Sequence, residues 1–165
     1  MLVIAHFLFG KHSITTPKIK NDLPIFGQPK IDIRMTENEI SKIVVHSSLT
    51  VHKALGPGLL ESVYEEALSM ELLKAGLQLK RQFAVPVMYN GVNMDLGYRM
   101  DILVNDKLII EIKSVDSLAS VHHKQLLTYL KLRNLKLGLL INFNVGLIKM
   151  GIHRIANGLD ELDRK

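Results

Sequence analysis

The run from Tyr98 to Ser114, YRMDILVNDKLIIEIKS, constrains this chain more than any other stretch. Two apolar, strand-like segments flank Asn105-Asp106-Lys107, and they carry Asp101, Glu111 and Lys113 where hydrophobic residues would be expected. Side chains alternate along a strand, so Glu111 and Lys113 share one face while Ile110 and Ile112 share the other. A two-residue turn at Asn105-Asp106 would set Asp101 opposite Ile110. A three-residue connection instead sets Asp101 opposite Glu111. It also aligns Tyr98, Met100, Ile102 and Val104 with Leu108, Ile110 and Ile112 as one apolar face. A slip of one residue would mix charge into that face, so the pattern selects the second register. Two carboxylates and an amine are then expected on one side of a hairpin, facing away from the core.

The flanking sequence supplies the elements around this hairpin. Ile40, Ile43, Val44, Val51 and Leu55 fall at helical spacing and predict a helix over 37–55, with Thr36 and Glu39 as a capping box. GPG at 56–58 ends it, and a second helix follows with Leu60, Val63, Tyr64, Ala67, Leu68 and Leu72 inward and Gly76 as its stop. FAVPVMY reads as a strand, and Asn90-Gly91 is a hairpin turn signal. Asp116 or Ser117 is expected to cap a helix over about 118–133. KLGLLINF reads as the next strand and LIKMGIHRI as a short final one. The order predicts a mixed α/β layer with no repeats.

The chain has 165 residues, a length suited to one core, and no cysteine, which excludes disulfides and thiolate metal sites and points to a reducing, cytoplasmic setting. No apolar run is long enough to span a bilayer, so no membrane association is expected. The net charge of +5 invites a nucleic-acid reading. Residues 1–34 hold five of the basic and two of the acidic residues, however, which leaves a nearly neutral body of 16 basic and 14 acidic ones. Any phosphate-binding surface is therefore a local patch. Residues 1–34 contain three of the five prolines and no sustained period, and are read as a poorly ordered extension preceding a domain over 35–165. Met35 reads as an alternative protein start.

Two carboxylates can hold a hard divalent cation that keeps several waters and accepts phosphate oxygens. Such an ion activates water and polarises a phosphoryl group, and a neighbouring lysine offsets charge developing on the phosphate. Asp101, Glu111 and Lys113 thus point to phosphodiester hydrolysis. The plainer alternative is a buried Glu–Lys pair with Asp101 at a strand end.

His122, Gln125 and Tyr129 form a stripe on the third helix beside the expected substrate groove. Taken alone, the histidines read as solvated, and Tyr129 reads also as core. Glu61 either supplies a third carboxylate or favours the positive end of its helix. Glu65 and Glu66 read as solvated helix charges. No glycine loop that could cradle the phosphates of a small nucleotide is present.

With these residues in place, GLLESVY (Gly58, Glu61, Tyr64) resembles the signature of the GxxExxY protein family. Asp101, Glu111-Ile112-Lys113 and Gln125…Tyr129 resemble the PD-(D/E)xK nuclease superfamily, the last pair its RecB-type QxxxY element. The resemblance covers roughly residues 37–156. It implies a restriction-endonuclease-like α/β core in the order αβββαβ, with a mixed sheet of four to five strands flanked by helices and built around Mg²⁺ or Mn²⁺. By this carry-over Asp101, Glu111 and Lys113 are catalytic, and Glu61, Asp101 and Glu111 hold the metal. Gln125, Tyr129, Tyr64 and His122 line the substrate. Met100 stands where the named motif has proline. The implied function is a Mg²⁺-dependent nuclease acting on nucleic acid, DNA first, with a homodimer as one way for a small domain to grip a duplex. The alternative is a non-cleaving nucleic-acid or protein interaction module that keeps the fold.

Overall fold

The computed structural model describes residues 35–159, leaving out the side chains of 95–97. The expectations for residues 1–34 lie outside the described residues. Helix α1 (Glu37–Leu55) begins where Thr36 Oγ1 accepts the Glu39 N–H at 3.3 Å and Glu39 Oε2 accepts the Thr36 N–H at 2.7 Å. This is the expected capping box, satisfying two amides that would otherwise lack helical partners. Helix α2 (Glu61–Lys74) ends as Gly76, at φ 81°, lets the Leu77 N–H return to the Leu72 carbonyl at 3.1 Å.

Strands β1 (Leu79–Tyr89), β2 (Val92–Val104), β3 (Leu108–Lys113), β4 (Leu137–Asn142) and β5 (Ile152–Ala156) form one sheet in that order. Helix α3 (Ser120–Arg133) connects β3 to β4, and the short α4 (Ile148–Gly151) precedes β5. β3 and β4 are parallel and every other pair is antiparallel. A parallel pair needs a crossover, and α3 provides it. The described residues therefore show the α/β architecture with a mixed sheet flanked by helices.

The chosen register is the observed one: Val104 pairs with Leu108, Leu103 with Ile109 and Ile102 with Ile110. Asn105 and Asp106 take positive φ of 48° and 54° to close the connection, a conformation these two residue types tolerate. Ile102, Val104, Leu108, Ile110 and Ile112 pack with α1 and α2 residues such as Val44, Tyr64 and Leu68.

Three expectations are corrected. The face carrying Glu111 does not look away from the core, because a second cluster covers it: Ile109, Leu140 and Leu103 pack under Leu126, Tyr129 and Leu130 of α3. The apolar face of β2 is also not continuous. Ile102 and Val104 belong to the first cluster, whereas Met100 belongs to the second, and Tyr98 lies edge-on to Tyr129 at 5.9 Å. The break falls at Asp101 and at Gln82 on β1, which lies between the pairs Arg81–Ile102 and Phe83–Met100 and has φ 47°. Gln82 itself leaves the extended region, so the alternation of β1 breaks opposite Asp101. Finally, Leu55, Leu60 and Val63 are exposed. Leu60 precedes the first turn of α2, and Val63 lies about 100° round the helix from the Tyr64, Leu68 and Leu72 stripe.

α3 sits close to the sheet because Gly138 on β4 has no side chain. A Cβ there would lie 2.9 Å from Leu126 Cδ1 and 3.0 Å from its Cγ and Cδ2, and Leu126 is fully buried. Gly138→Ala is expected to destabilise the domain by about 1–3 kcal/mol, as overpacking does, read as a lowered denaturant midpoint. Ala156→Gly at the sheet edge should cost less than that.

Candidate functional site at the carboxyl end of β3

The polar residues collect at the carboxyl ends of the parallel strands, where open α/β sheets place ligand crevices. Glu111 is 2 % exposed. Its Oε1 accepts Lys113 Nζ at 2.7 Å and Gln125 Nε2 at 3.2 Å. Gln125 Nε2 also donates to the Tyr129 hydroxyl at 2.6 Å. Glu111 Oε2 is buried without a partner. Asp101 stands one step beyond the Ile102–Ile110 pair of β2 and β3, and its Oδ2 accepts the Ile112 N–H at 2.7 Å. A side chain thus takes the place of a backbone acceptor at the break in β2.

The two halves of the GLLESVY stretch do different work. Glu61 Oε1 accepts the Ser114 N–H at 3.1 Å, and Ser114 Oγ donates to the Leu59 carbonyl at 2.6 Å, which ties the start of α2 to the end of β3. Tyr64 does not reach a groove: it is fully buried and stacks on Phe143 with ring centroids 4.5 Å apart. Its hydroxyl donates to the Gly56 carbonyl at 2.7 Å and accepts the Leu59 N–H at 3.1 Å, clamping the turn that launches α2. Gly56 and Gly58 in that turn have φ of 67° and 95°, a conformation open to glycine at little cost.

The structure therefore brings Asp101, Glu111, Lys113, Gln125 and Tyr129 together, with Glu61 close enough to influence the charges of the first three. His122 stays outside this group, and its Nδ1 accepts the Ala119 N–H at 3.2 Å at the start of α3. It takes over the capping expected of Asp116 or Ser117. Asp116 instead accepts Asn144 Nδ2 at 3.2 Å.

Two further polar residues support the site from within the fold. Glu65, expected in solvent, is buried and accepts Arg81 Nε at 2.8 Å and Gln82 Nε2 at 2.6 Å, anchoring the β1 segment opposite Asp101. Asn142 is buried across from Lys113, where its side chain bonds both the N–H and the carbonyl of Val115, at 3.1 and 2.7 Å. A polar residue inside LLINF carries the same signal as Glu111 inside IIEIK.

Electrostatics set the character of the site. Burial, then the Asp101 carboxylate, push Glu111 up to about 7, against the pull of Lys113. Burial raises Asp101 too, although the Ile112 N–H and Lys113 oppose it. For Lys113 burial acts against the charge, yet the Glu111 bond and the nearby carboxylates outweigh it and raise its pKa. Burial also raises the Tyr129 phenol, so it stays a neutral hydroxyl near pH 7. Glu61, Asp101 and Glu111 thus act on the single ammonium of Lys113.

Among the described residues, no group of three or more His, Cys, Asp or Glu side chains is arranged to hold a metal ion. Asp101 and Glu111 as a pair still fit a hard cation, since Mg²⁺ is usually bound through one or two carboxylates together with water and phosphate oxygens. The buried, unpartnered Glu111 Oε2 is the donor atom such an ion would use.

The profile of the PD-(D/E)XK nuclease superfamily matches residues 38–155. The chain belongs to that superfamily. No curated protein and no solved structure matches it. The match runs from the second residue of α1 to the penultimate residue of β5, and so covers every residue of the candidate site. Among the described residues, no helix is long and apolar enough to cross a membrane.

The raised pKa of Glu111 makes a stability prediction. The folded state holds that proton more tightly than the unfolded chain, whose glutamate titrates near 4.5. The associated stability is complete below about 4.5 and is lost as pH rises through about 7. Glu111→Gln should remove this decline. The variant's stability relative to the parent should rise across that window by a few kcal/mol at most, measured by urea unfolding at several pH values.

Proposed function

We propose that this domain hydrolyses phosphodiester bonds of nucleic acid, DNA first, with Mg²⁺ or Mn²⁺ held by Asp101 and Glu111. The observation that carries the reading is the buried, unpartnered Glu111 Oε2 in a site where three carboxylates act on one ammonium. Bound there, the cation would offset the excess negative charge, polarise the phosphoryl group and acidify water. Lys113 has three N–H donors, one of them directed to Glu111, and can also donate to a phosphoryl oxygen as charge develops. Gln125 and Tyr129 hold the Glu111 carboxylate in place, and Glu61 fixes the backbone at Ser114. The joint placement of Glu61, Tyr64, Gln125 and Tyr129 supports a GxxExxY-type chain with a RecB-type element. A cytoplasmic setting fits the lack of cysteine, and a homodimer would let so small a domain grip a duplex.

A second reading is a non-cleaving nucleic-acid or protein interaction module that retains the fold, and the resting geometry supports it more directly. The three acidic residues do not form a metal-holding group, and each already accepts protein donors: Glu61 from Ser114, Asp101 from Ile112, Glu111 from Lys113 and Gln125. On this reading the carboxylates tie β3 to β2, α2 and α3 instead of holding an ion.

One experiment separates the two. Purified protein is incubated with supercoiled plasmid and with single-stranded DNA, with and without Mg²⁺ or Mn²⁺. The hydrolase reading expects metal-dependent cutting that falls at least about 100-fold in Lys113→Ala and Asp101→Ala, the scale of losing one transition-state contact. Equal cutting by the variants would expose a contaminant. Metal-independent DNA binding without any cutting would leave the second reading standing.

A further inference from the structure

Away from this site, His123 on α3 and His153 on β5 meet with their rings nearly perpendicular and their centroids 5.1 Å apart. His123 Nε2 lies 3.5 Å from His153 Nδ1. His153 pairs with Leu140 across β4 and β5, so it shares the sheet face that α3 covers. The His123 Nδ1 atom is 3.3 Å from the Ala119 carbonyl. A carbonyl can only accept, so Nδ1 carries the proton and Nε2 presents its lone pair towards His153. A backbone carbonyl on the far ring nitrogen is the arrangement that orients metal-binding histidines.

We propose that His123 Nε2 and His153 Nδ1 are two ligands of a site for a borderline divalent cation of the Zn²⁺ type. A tetrahedral ion with Zn–N distances of about 2.0–2.1 Å places two nitrogens about 3.3–3.4 Å apart, and the observed separation is 3.5 Å. The separation suits one shared ion, and each ring turns so that its lone pair leaves the N–N line and points at that ion. With the ion on Nδ1, the ring proton of His153 sits on Nε2, the nitrogen left outside the site. Both histidines line a cavity of about 270 Å³, where the remaining positions fall to water. Asp116 also lines it but is engaged by Asn144. Imidazole nitrogens favour Zn²⁺, Ni²⁺ and Cu²⁺ over Mg²⁺, so this site is chemically distinct from the Asp101–Glu111 pair. The ion would bridge α3 to the edge strand two residues before Gln125. The inference does not rest on the proposed hydrolase activity.

The test is a calorimetric titration of the full chain with Zn²⁺ at neutral pH in excess Mg²⁺, paired with ¹⁵N spectra of the imidazole nitrogens. One saturable equivalent is expected. His123→Gln and His153→Gln should each weaken it by about tenfold or more, while His122→Gln leaves it unchanged. In the parent protein, Zn²⁺ should shift His123 Nε2 and His153 Nδ1, a readout that needs no variant to fold. Unchanged Zn²⁺ affinity in both well-folded single variants would overturn the proposal. So would the absence of binding by the parent up to about 1 mM, or shifts confined to other histidines.

Discussion

Parallel pairing of β3 with β4 is the constraint from which the site follows. A chain that leaves β3 and re-enters beside it in the same direction must cross over the sheet, and α3 makes that crossing. The crossing helix covers the face that would otherwise meet water, so β3 is buried on both sides from Leu108 to Ile112. Glu111 is therefore enclosed whatever its chemistry. An enclosed carboxylate needs partners, and Lys113, Gln125 and, through Gln125, Tyr129 provide them from the strand and from the helix that encloses it.

The hairpin register was legible because only one register kept charge off the face of Ile102 and Ile110. Asn105 and Asp106 then accept the positive φ that the three-residue connection requires. The break at Gln82 and Asp101 was hidden for a physical reason. Alternation assumes extended backbone at every residue, and glutamine at positive φ announces itself by no turn motif. Glu65 was hidden differently. A helix charge reveals neighbours three and four residues away, whereas its partners Arg81 and Gln82 come from the following strand. Asn142 needed no further information than Glu111 did, since both interrupt an apolar strand.

Burial also divides the residues of the GLLESVY stretch between holding and acting. Tyr64 spends its ring on Phe143 and its hydroxyl on Gly56 and Leu59, so its contribution reaches the site only through the turn it clamps. Glu61 lies at the surface, and its bond to Ser114 fixes the residue that follows Lys113. The turn, the helix start and the strand end form one connected set of bonds. A loosened Tyr64 would therefore move Glu61 and Lys113 together.

The two functional readings differ in what happens to one carboxyl group. With Glu111 titrating at about 7, its protonated and ionised forms are both present near neutral pH. A proton on Glu111 removes the like-charge repulsion from Asp101. It does not give Oε2 a hydrogen-bond partner, because none lies within reach. Ionised Glu111 leaves Lys113 as the cation bonded to it, with Asp101 and Glu61 acting on the same ammonium. Each form is incomplete in its own way, one in hydrogen bonding and the other in charge. A divalent cation held by Glu111 and Asp101 would answer both deficits at once, offering Oε2 a partner and offsetting the excess negative charge.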